Sequence, residues 1–282
     1  MIKKSTIDLK PTMIRRFISE NIPFKGLIKQ VLRLTGLAFQ ESRPTGHLLK
    51  ARNVGGEIFY KRCLEELQLL ERLNMKRYDI SAVLDIGGNV GQNTVSSRIF
   101  FDNSVPIFTF EPSETCFVKL TAVTSEFPNT HCIKAGAGAR TEELEFKISR
   151  SSETSQASTF LDFSEKYKEQ YPDQAAYTAT QCMVYSLDDY FKDKMDELGD
   201  NIFLHIDTEG FDLYVLQGSN NLLRHTKVII LEITYGLFQN EGSFDDIYQM
   251  LKKDFVFKGF LDPVALSPEG DSLYQDAIFV RK

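Results

Sequence analysis

The segment Val83-Leu84-Asp85-Ile86-Gly87-Gly88-Asn89-Val90-Gly91-Gln92 is an apolar run that ends in closely spaced glycines and continues into a helix-compatible sequence. This pattern is typical of the first strand, turn and helix of an α/β sheet that binds a nucleotide. Gly87 and Gly88 have no Cβ atom to keep a ligand away from the backbone, and the N-terminus of the following helix favours an anionic group. The segment therefore predicts a nucleotide-binding turn.

An acidic residue ends the next predicted strand, Ile107-Phe108-Thr109-Phe110-Glu111-Pro112. A carboxylate can accept hydrogen bonds from both hydroxyls of a ribose, so Glu111 and the glycine turn together predict an adenosyl ligand. Asp85 would repel the pyrophosphate of a dinucleotide but suits a ligand with a cationic centre. S-adenosylmethionine, which carries an ammonium and a sulfonium, is therefore the predicted ligand. A buried strand and turn without a ligand is the alternative.

Four sequence blocks, in the same order, resemble the FkbM-type S-adenosylmethionine-dependent methyltransferases. They are Asp85-x-Gly87-x-x-x-Gly91, Phe110-Glu111-Pro112, the run from Leu204 to Gly218, and Leu231-Glu232-Ile233. The resemblance extends from about Ser81 to the C-terminus. It implies a Rossmann-like class I methyltransferase fold and transfer of a methyl group, usually to an oxygen of a sugar or another hydroxylated small molecule. His205 stands where the family commonly has Lys, so a charge-balancing role of that lysine does not carry over.

The small residues after the third predicted strand extend the candidate donor site. The resemblance places adenine-side residues at Ala135 and Gly136, and a tight turn without a ligand is the alternative. The candidate cofactor-binding residues are Asp85, Gly87, Gly88, Asn89, Gly91, Glu111, Pro112, Ala135, Gly136 and Asp207.

The candidate catalytic residues lie at the end of the fourth strand of the predicted main sheet, in His205-Ile206-Asp207-Thr208-Glu209-Gly210. Strand alternation directs His205 and Asp207 to the same face. Asp207 is the candidate general base, Glu209 could orient the acceptor or share that role, and His205 has a suitable ordinary pKa. A helix cap at Asp207 and a structural role for His205 are the alternatives.

Glu232 lies in a very apolar strand, which predicts either a cleft residue or a buried charge paired with a base. A third acid near Asp207 could create a divalent-metal site. No metal is predicted, because the sequence does not fix that geometry.

Apolar runs alternate with helical patterns along the chain, which predicts a doubly wound, mostly parallel α/β sheet preceded by a helical extension. The extension covers residues 1–50 and the methyltransferase domain covers residues 51–282. The predicted strands of the main sheet are 82–86, 107–110, 130–134, 202–206, 228–233, 255–259 and 276–280, and an accessory antiparallel ribbon is formed by 144–148 and 182–185.

A polar insertion at residues 150–181 separates the two strands of the accessory ribbon. Long insertions are often lids or binding loops, so the segment is a candidate substrate lid, with a mobile surface loop as the alternative. A short helix is predicted from Phe163 to Tyr171. The aromatic residues that could contact an acceptor are Phe160, Phe163, Tyr167, Tyr171 and Tyr177.

The composition indicates which kinds of ligand and partner the chain can bind. The net charge of −6 and the sequence pI near 5.4 argue against a nucleic-acid binder. Four scattered cysteines suggest neither a zinc site nor a disulfide framework, and no apolar run is long enough to span a membrane. The sequence therefore predicts a soluble, cytoplasmic enzyme that modifies a small-molecule or glycan acceptor.

The N-terminal part differs in charge from the rest of the chain. The first 35 residues contain eight basic and two acidic side chains, a net charge of +6, so the remainder carries −12. Apolar residues at helical spacing beside these bases predict short amphipathic helices. Peripheral contact with an anionic membrane or substrate is one interpretation, and a helical extension packed on the domain is the other. The oligomeric state is not predicted.

Two further function classes share part of the pattern. An NAD-dependent oxidoreductase would have the glycine turn and Glu111, but Asp85 is poorly placed for its pyrophosphate and no Tyr-x-x-x-Lys pair accompanies a catalytic Ser. A non-catalytic adenosyl-binding protein of the same fold would have no use for the acids at 207–210. Both remain alternatives to a methyltransferase.

Overall fold

The computed structural model describes residues 56–72, 79–150, 157–261 and 264–282. These residues belong to one compact unit, Gly46–Lys282. The predicted extension at residues 1–50, with its basic amphipathic segments, lies outside the described residues. Within the described ranges, no helix is both long and apolar enough to cross a bilayer.

Helices and strands alternate through most of the described chain. The helices are α1 (Glu57–Arg72), α2 (Gln92–Phe100), α3 (Glu114–Thr124), α4 (Glu165–Gln170), α5 (Pro172–Ala175), α6 (Leu187–Phe191), α7 (Met195–Leu198), α8 (Asp212–Gln217) and α9 (Phe244–Leu251), with a 3₁₀ turn at Leu222–His225. The strands are β1 (Ala82–Ile86), β2 (Ile107–Phe110), β3 (Thr130–Ile133), β4 (Gly136–Ala137), β5 (Glu142–Ser149), β6 (Tyr177–Tyr185), β7 (Ile202–Ile206), β8 (Thr226–Thr234), β9 (Phe255–Phe260) and β10 (Tyr274–Arg281).

Seven strands form the central sheet in the order β3-β2-β1-β7-β8-β10-β9. All neighbours are parallel except β10, which runs antiparallel to both β8 and β9. Strands β1 and β7 are buried along their whole length, as expected for parallel strands covered on both faces. The predicted Rossmann-like, doubly wound fold is confirmed. The strand order reverses between β1 and β7, and open α/β sheets bind ligands at the carboxyl ends beside such a switch point.

The main strands occur where the sequence predicts them, but several boundaries differ. β3 ends at Ile133 instead of Lys134, and β8, β9 and β10 are longer than their apolar runs. Ladder hydrogen bonds join backbone groups, so pairing continues beyond the apolar residues that the sequence pattern detects. The accessory ribbon is also longer, because β5 pairs with β6 over eight residues, and β4 adds a third strand. Gly136 and Ala137 form this strand, so the alternative of a tight turn at Gly136 is not found.

The predicted lid insertion is anchored to the body of the domain over its described part. Thr159 and Lys147 exchange backbone hydrogen bonds, and Thr159 Oγ1 donates to the Glu209 carbonyl at 2.8 Å. Phe163 is fully buried in a cluster with Phe211 and Phe238. The short helix occurs as α4, whereas residues 177–181 belong to β6 and not to the loop. Backbone pairing, the Thr159 hydroxyl and the aromatic cluster thus attach this segment to the rest of the domain.

Helix α1 packs beside α2 and reaches the carboxyl edge of the sheet. Ser96 Oγ donates to the Tyr60 carbonyl at 2.7 Å, and Tyr60 Oη donates to the Val90 carbonyl at 3.2 Å. Tyr60 is fully buried with Val95. These contacts hold α1 against the turn that follows β1.

Candidate functional site

A cavity of about 730 Å³ opens at the carboxyl ends of β1, β2 and β7, beside the switch point. Its volume falls in the range of small-molecule sites. The glycine turn, the strand-end acids, the described part of the insertion and helix α1 all contribute to its walls. Of the predicted site residues, the lining includes Gly87, Asn89, Glu111, Pro112, Gly136, His205, Asp207 and Glu209.

The three glycines of the turn are required mainly by packing within the protein. Gly87 has φ +88°, and a Cβ atom there would lie 1.8 Å from the carbonyl oxygen of Asp207. A Cβ at Gly88 would lie 2.1 Å from Thr109 Cγ2, and Gly91 (φ +100°) begins α2 against Val123. A side chain at Gly88 would thus face Thr109, and contact between the Gly88 backbone and a ligand stays a prediction. Gly87 borders the cavity, whereas Gly88 and Gly91 support the turn.

The side chain of Glu111 is held rigidly at the end of β2. Its Oε2 accepts a hydrogen bond from the Asn89 backbone N–H at 2.8 Å, and its Oε1 accepts one from the Ser113 N–H at 2.7 Å. Burial raises the pKa of Glu111 to about 7, against the lowering effect of these two bonds. Each carboxylate oxygen still has acceptor capacity for a ligand hydroxyl.

Asp85 is fully buried and does not border the cavity. It accepts a hydrogen bond from Thr94 Oγ1 at 2.6 Å, and its Oδ1 lies 3.1 Å from Nδ1 of His205. The parallel register places Asp85 and His205 directly beside each other on β1 and β7. The carboxylate of Asp85 is thus engaged by His205 and Thr94, and its role toward the cationic centre of the donor stays a prediction.

His205, unlike its partner Asp85, borders the cavity. Burial lowers its pKa, but the hydrogen bond and the charge of Asp85 outweigh this effect and raise the pKa to about 9. An imidazole with this pKa is protonated at neutral pH and cannot serve as a general base there. Its charge instead stabilises the neighbouring carboxylates.

Three acids converge where β7 and β8 end. Asp207, Glu209 and Glu232 each present a carboxylate oxygen within 4.8 Å of the others. Burial raises the pKa of Asp207 to about 6, although His205 opposes this shift, and burial raises the pKa of Glu209 and Glu232 well above their ordinary values. Asp207 is therefore the member of the group that is mostly ionised near pH 7. No side chain in the described region caps α8, so Asp207 does not act as its cap.

Residues of the insertion and the accessory strands form the wall opposite the sheet. Phe160, Tyr167 and Tyr171 border the cavity, whereas the predicted contacts Phe163 and Tyr177 do not. Gly136 also borders it, and a Cβ there would meet the Phe160 ring at 2.6 Å. Ala135 is buried behind this wall and does not reach the cavity, contrary to the prediction.

Several cavity residues were not predicted. Asp276 lies on β10 directly opposite Glu232, and Tyr274 precedes it on the same strand. An acid beside the apolar run Ala277 to Val280 is the same signal that identified Glu232. Helix α1 contributes Arg62, Cys63 and Glu66, whose polar helical pattern could not be distinguished from a solvent-facing surface.

A methyltransferase FkbM domain matches residues 85–258 of this chain. The chain belongs to this family. The match spans more than half of the chain and contains the glycine turn, Glu111 and the acids of β7 and β8. S-adenosylmethionine is accordingly the cofactor. The FkbM domain begins at Asp85, so α1 and its cavity residues lie outside the matched part.

Solved structures with a similar chain path have low sequence identity. The methyltransferase FkbM from Methylobacillus flagellatus KT is 14% identical with a TM-score of 0.44, and the match covers 71% of this chain and 44% of that one. A magnesium protoporphyrin IX methyltransferase from Synechocystis PCC 6803 with bound S-adenosylmethionine is 9% identical with a TM-score of 0.42, covering 99% and 100%. This chain thus spans less than half of the former protein. No curated protein matches the sequence.

The residues of the cavity fit an adenosyl donor. Asn89 Oδ1 is buried without a hydrogen-bond partner among the described residues, and Asn89 borders the cavity. Glu111, held by two backbone N–H groups, offers acceptors for a ribose. These are polar groups that a bound ligand with several hydroxyl and amino donors would satisfy.

Proposed function

We propose that this FkbM-family chain is an S-adenosylmethionine-dependent O-methyltransferase that acts on a hydroxyl of a sugar or another hydroxylated small molecule. One observation carries the proposal. A single cavity contains the ribose-binding candidate Glu111, the carboxylates at the end of β7 and an aromatic wall. Donor and acceptor would therefore meet in one enclosed space.

The donor half would be formed by the glycine turn and the end of β2. Glu111 would accept hydrogen bonds from the ribose hydroxyls, and Asn89 and Gly136 would contact other parts of the adenosyl group. S-adenosylmethionine supplies a methyl group on a sulfonium, which needs no further activation. The task of the protein is then to align the acceptor hydroxyl and to receive its proton.

Asp207 is the proposed proton acceptor. Its pKa of about 6 keeps it ionised at neutral pH but above the ordinary range of an aspartate, so it can take up the hydroxyl proton as the oxygen bonds to the methyl carbon. Burial and the charge of Asp207 raise the pKa of Glu209 well above its ordinary value, and this residue borders the cavity where it could orient the acceptor hydroxyl. His205, as an imidazolium paired with Asp85, would keep Asp207 ionised.

The acceptor half combines apolar ring faces with carboxylic groups. Phe160, Tyr167 and Tyr171 could cover the apolar face of a sugar ring, and the acids could bind its hydroxyls. A small-molecule or glycan acceptor therefore fits this half of the cavity.

The cysteines bear on the location of the protein. All four lie in the described part and none forms a disulfide, which supports a reducing, cytoplasmic location.

Two measurements test the proposal. Calorimetric titration of the purified chain with S-adenosylhomocysteine should give saturable binding, whereas NAD should not bind; the reverse result would favour an oxidoreductase. Radiolabelled methyl transfer to a panel of sugars and glycosides, followed by mass spectrometry of the product, should then identify a methyl ether. Donor binding without transfer to any hydroxylated compound would favour a non-catalytic adenosyl-binding protein.

A further inference from the structure

The three carboxylates at the end of the cavity have the spacing of cation ligands. One oxygen from each of Asp207, Glu209 and Glu232 can be chosen so that all three lie within 4.8 Å of one another. Three oxygens bound to one cation at about 2.0 to 2.6 Å must lie within roughly twice that distance of each other. Oxygens of this kind are the preferred ligands of Mg²⁺, Mn²⁺ and Ca²⁺.

Glu232 provides evidence that is separate from this spacing. Its Oε2 has less than 1 Å² of accessible surface and has no hydrogen-bond partner among the described residues. The residue projects from the central strand β8 into the cavity, among strands whose other side chains are mostly buried and apolar. A buried carboxylate oxygen without a donor is costly, so a bound positive group would remove an otherwise unfavourable feature.

Among the described residues that border the cavity, acids outnumber bases. Asp276 lies directly opposite Glu232 in the antiparallel β8–β10 pair, and like charges at such positions are destabilising. Two bases border the cavity in the described part of the chain: His205, whose charge also acts on Asp207, is hydrogen-bonded to Asp85, and Arg62 forms an ion pair with Glu66. Burial and the neighbouring carboxylates disfavour the charged forms of Glu209 and Glu232 and so raise the pKa of both.

We propose that Asp207, Glu209 and Glu232 bind one divalent cation of the Mg²⁺ and Mn²⁺ class, and that this cation holds the acceptor hydroxyl beside the methyl donor. The inference rests on the proposed function for the role of the cation, whereas the cation site itself rests on the three acids. Each acid provides one oxygen to the cation, so the second oxygen of Asp207 stays available for the proposed proton transfer.

A coordinated cation would change the chemistry of the acceptor in two ways. It would lower the pKa of a hydroxyl bound to it, and it would orient that oxygen. A sugar with two neighbouring hydroxyls could occupy two open coordination positions at once. The acceptor class that follows is a vicinal diol, one oxygen of which receives the methyl group.

Mn²⁺ is a suitable probe, because its electron paramagnetic resonance signal in solution decreases when the ion binds to protein. The full chain, freed of metal with a chelator, should bind one Mn²⁺ per molecule, and Mg²⁺ should displace it. Glu232→Gln should weaken Mn²⁺ affinity by about tenfold or more, the scale on which changes around a metal site act. Glu143→Gln, an exposed acid on β5, is the matched control and should leave the affinity unchanged.

The outcomes separate this inference from the proposed function. Stoichiometric S-adenosylhomocysteine binding without Mn²⁺ binding would overturn the cation site alone. Mn²⁺ binding that Glu232→Gln weakens, together with no S-adenosylhomocysteine binding, would support the site and overturn the methyltransferase proposal. Equal Mn²⁺ affinity in Glu232→Gln and in Glu143→Gln would also overturn the site. If Glu232→Gln does not fold, as judged by circular dichroism, Glu209→Gln provides the same test.

Discussion

At the scale of single residues, two buried carboxyl groups in the cavity differ in how their surroundings hold them. Glu111 receives two backbone hydrogen bonds and has a pKa of about 7, whereas Asp207 lies near the His205 imidazolium and has a pKa of about 6. The first group is fixed in position and suits binding. The second is ionised at neutral pH and suits proton transfer.

Replacing Glu111 tests its role in donor binding. Glu111→Ala should weaken S-adenosylhomocysteine binding by about 1.5 to 3 kcal/mol, the range for hydrogen bonds to a charged group. Calorimetry measures this change, and circular dichroism should confirm that the variant is folded. Unchanged affinity in a folded variant would remove Glu111 from the donor site.

Asp207→Asn tests the assignment of the base. Turnover should decrease by roughly 10² or more, the usual contribution of a positioned general base, while S-adenosylhomocysteine affinity should change only a few fold. Single-turnover rates and calorimetry measure the two quantities. Near-normal turnover would contradict the assignment and direct attention to Glu209 or His205.

The sequence could locate Glu111 but not the partner of Asp85. Glu111 follows an apolar strand directly, and a residue at that place faces the switch point in any doubly wound sheet. The partner of Asp85 could not be predicted in the same way, because His205 is 120 residues away and becomes its neighbour through the β1–β7 register. Local pattern thus locates strand ends, whereas pairing between distant side chains depends on the assembled sheet.

At the scale of elements, the aromatic residues of the insertion after β5 occupy two kinds of position. Some of its aromatic residues fill an apolar cluster, with Phe163 stacked on Tyr167 at 5.3 Å between ring centroids. Tyr171, Tyr167 and Phe160 border the cavity. Composition alone could not separate these roles, because all are aromatic residues within a polar stretch.

Two alanine variants distinguish the roles. Phe163→Ala should lower the free energy of unfolding by about 3 to 5 kcal/mol, since it creates a cavity in a packed cluster. Tyr171→Ala should instead raise the KM for the acceptor, with little change in thermal stability or in S-adenosylhomocysteine affinity. Thermal denaturation and acceptor kinetics measure the effects. A larger loss of stability for Tyr171→Ala than for Phe163→Ala would contradict this division.

At the scale of the whole molecule, the fold holds protons that the unfolded chain would release. Burial raises the pKa of Glu111 to about 7 and that of Asp207 to about 6, and Asp85 raises that of His205 to about 9 against the effect of burial. All three shifts have the same sign. Folded protein therefore binds more protons than unfolded protein between about pH 4 and pH 9, and its stability must decrease as the pH rises through this range.

The Tm of the ligand-free protein should accordingly fall between pH 6 and pH 9. The contribution of His205 is fully present below pH 6.5, its unfolded pKa, and is lost as the pH rises through about 9. His205→Gln should reduce the slope of Tm against pH in the upper part of this range. Scanning calorimetry at constant ionic strength measures the slope, and a Tm that rises steadily from pH 6 to pH 9 would contradict the shifts.

The close approach of Gly87 to Asp207 has a thermodynamic consequence. The Asp207 N–H donates to the Ile86 carbonyl at 2.9 Å, and its own carbonyl lies where a Gly87 side chain would be. The turn that is proposed to hold the donor is thus in direct backbone contact with the acid that is proposed to act on the acceptor. Binding of the donor should therefore alter the affinity for the acceptor, and thermodynamic linkage requires the acceptor to alter the affinity for the donor by the same factor. We expect saturating S-adenosylhomocysteine to change the Kd of the acceptor by the same factor by which saturating acceptor changes the Kd of S-adenosylhomocysteine, which calorimetry measures; no change in either Kd would contradict the coupling.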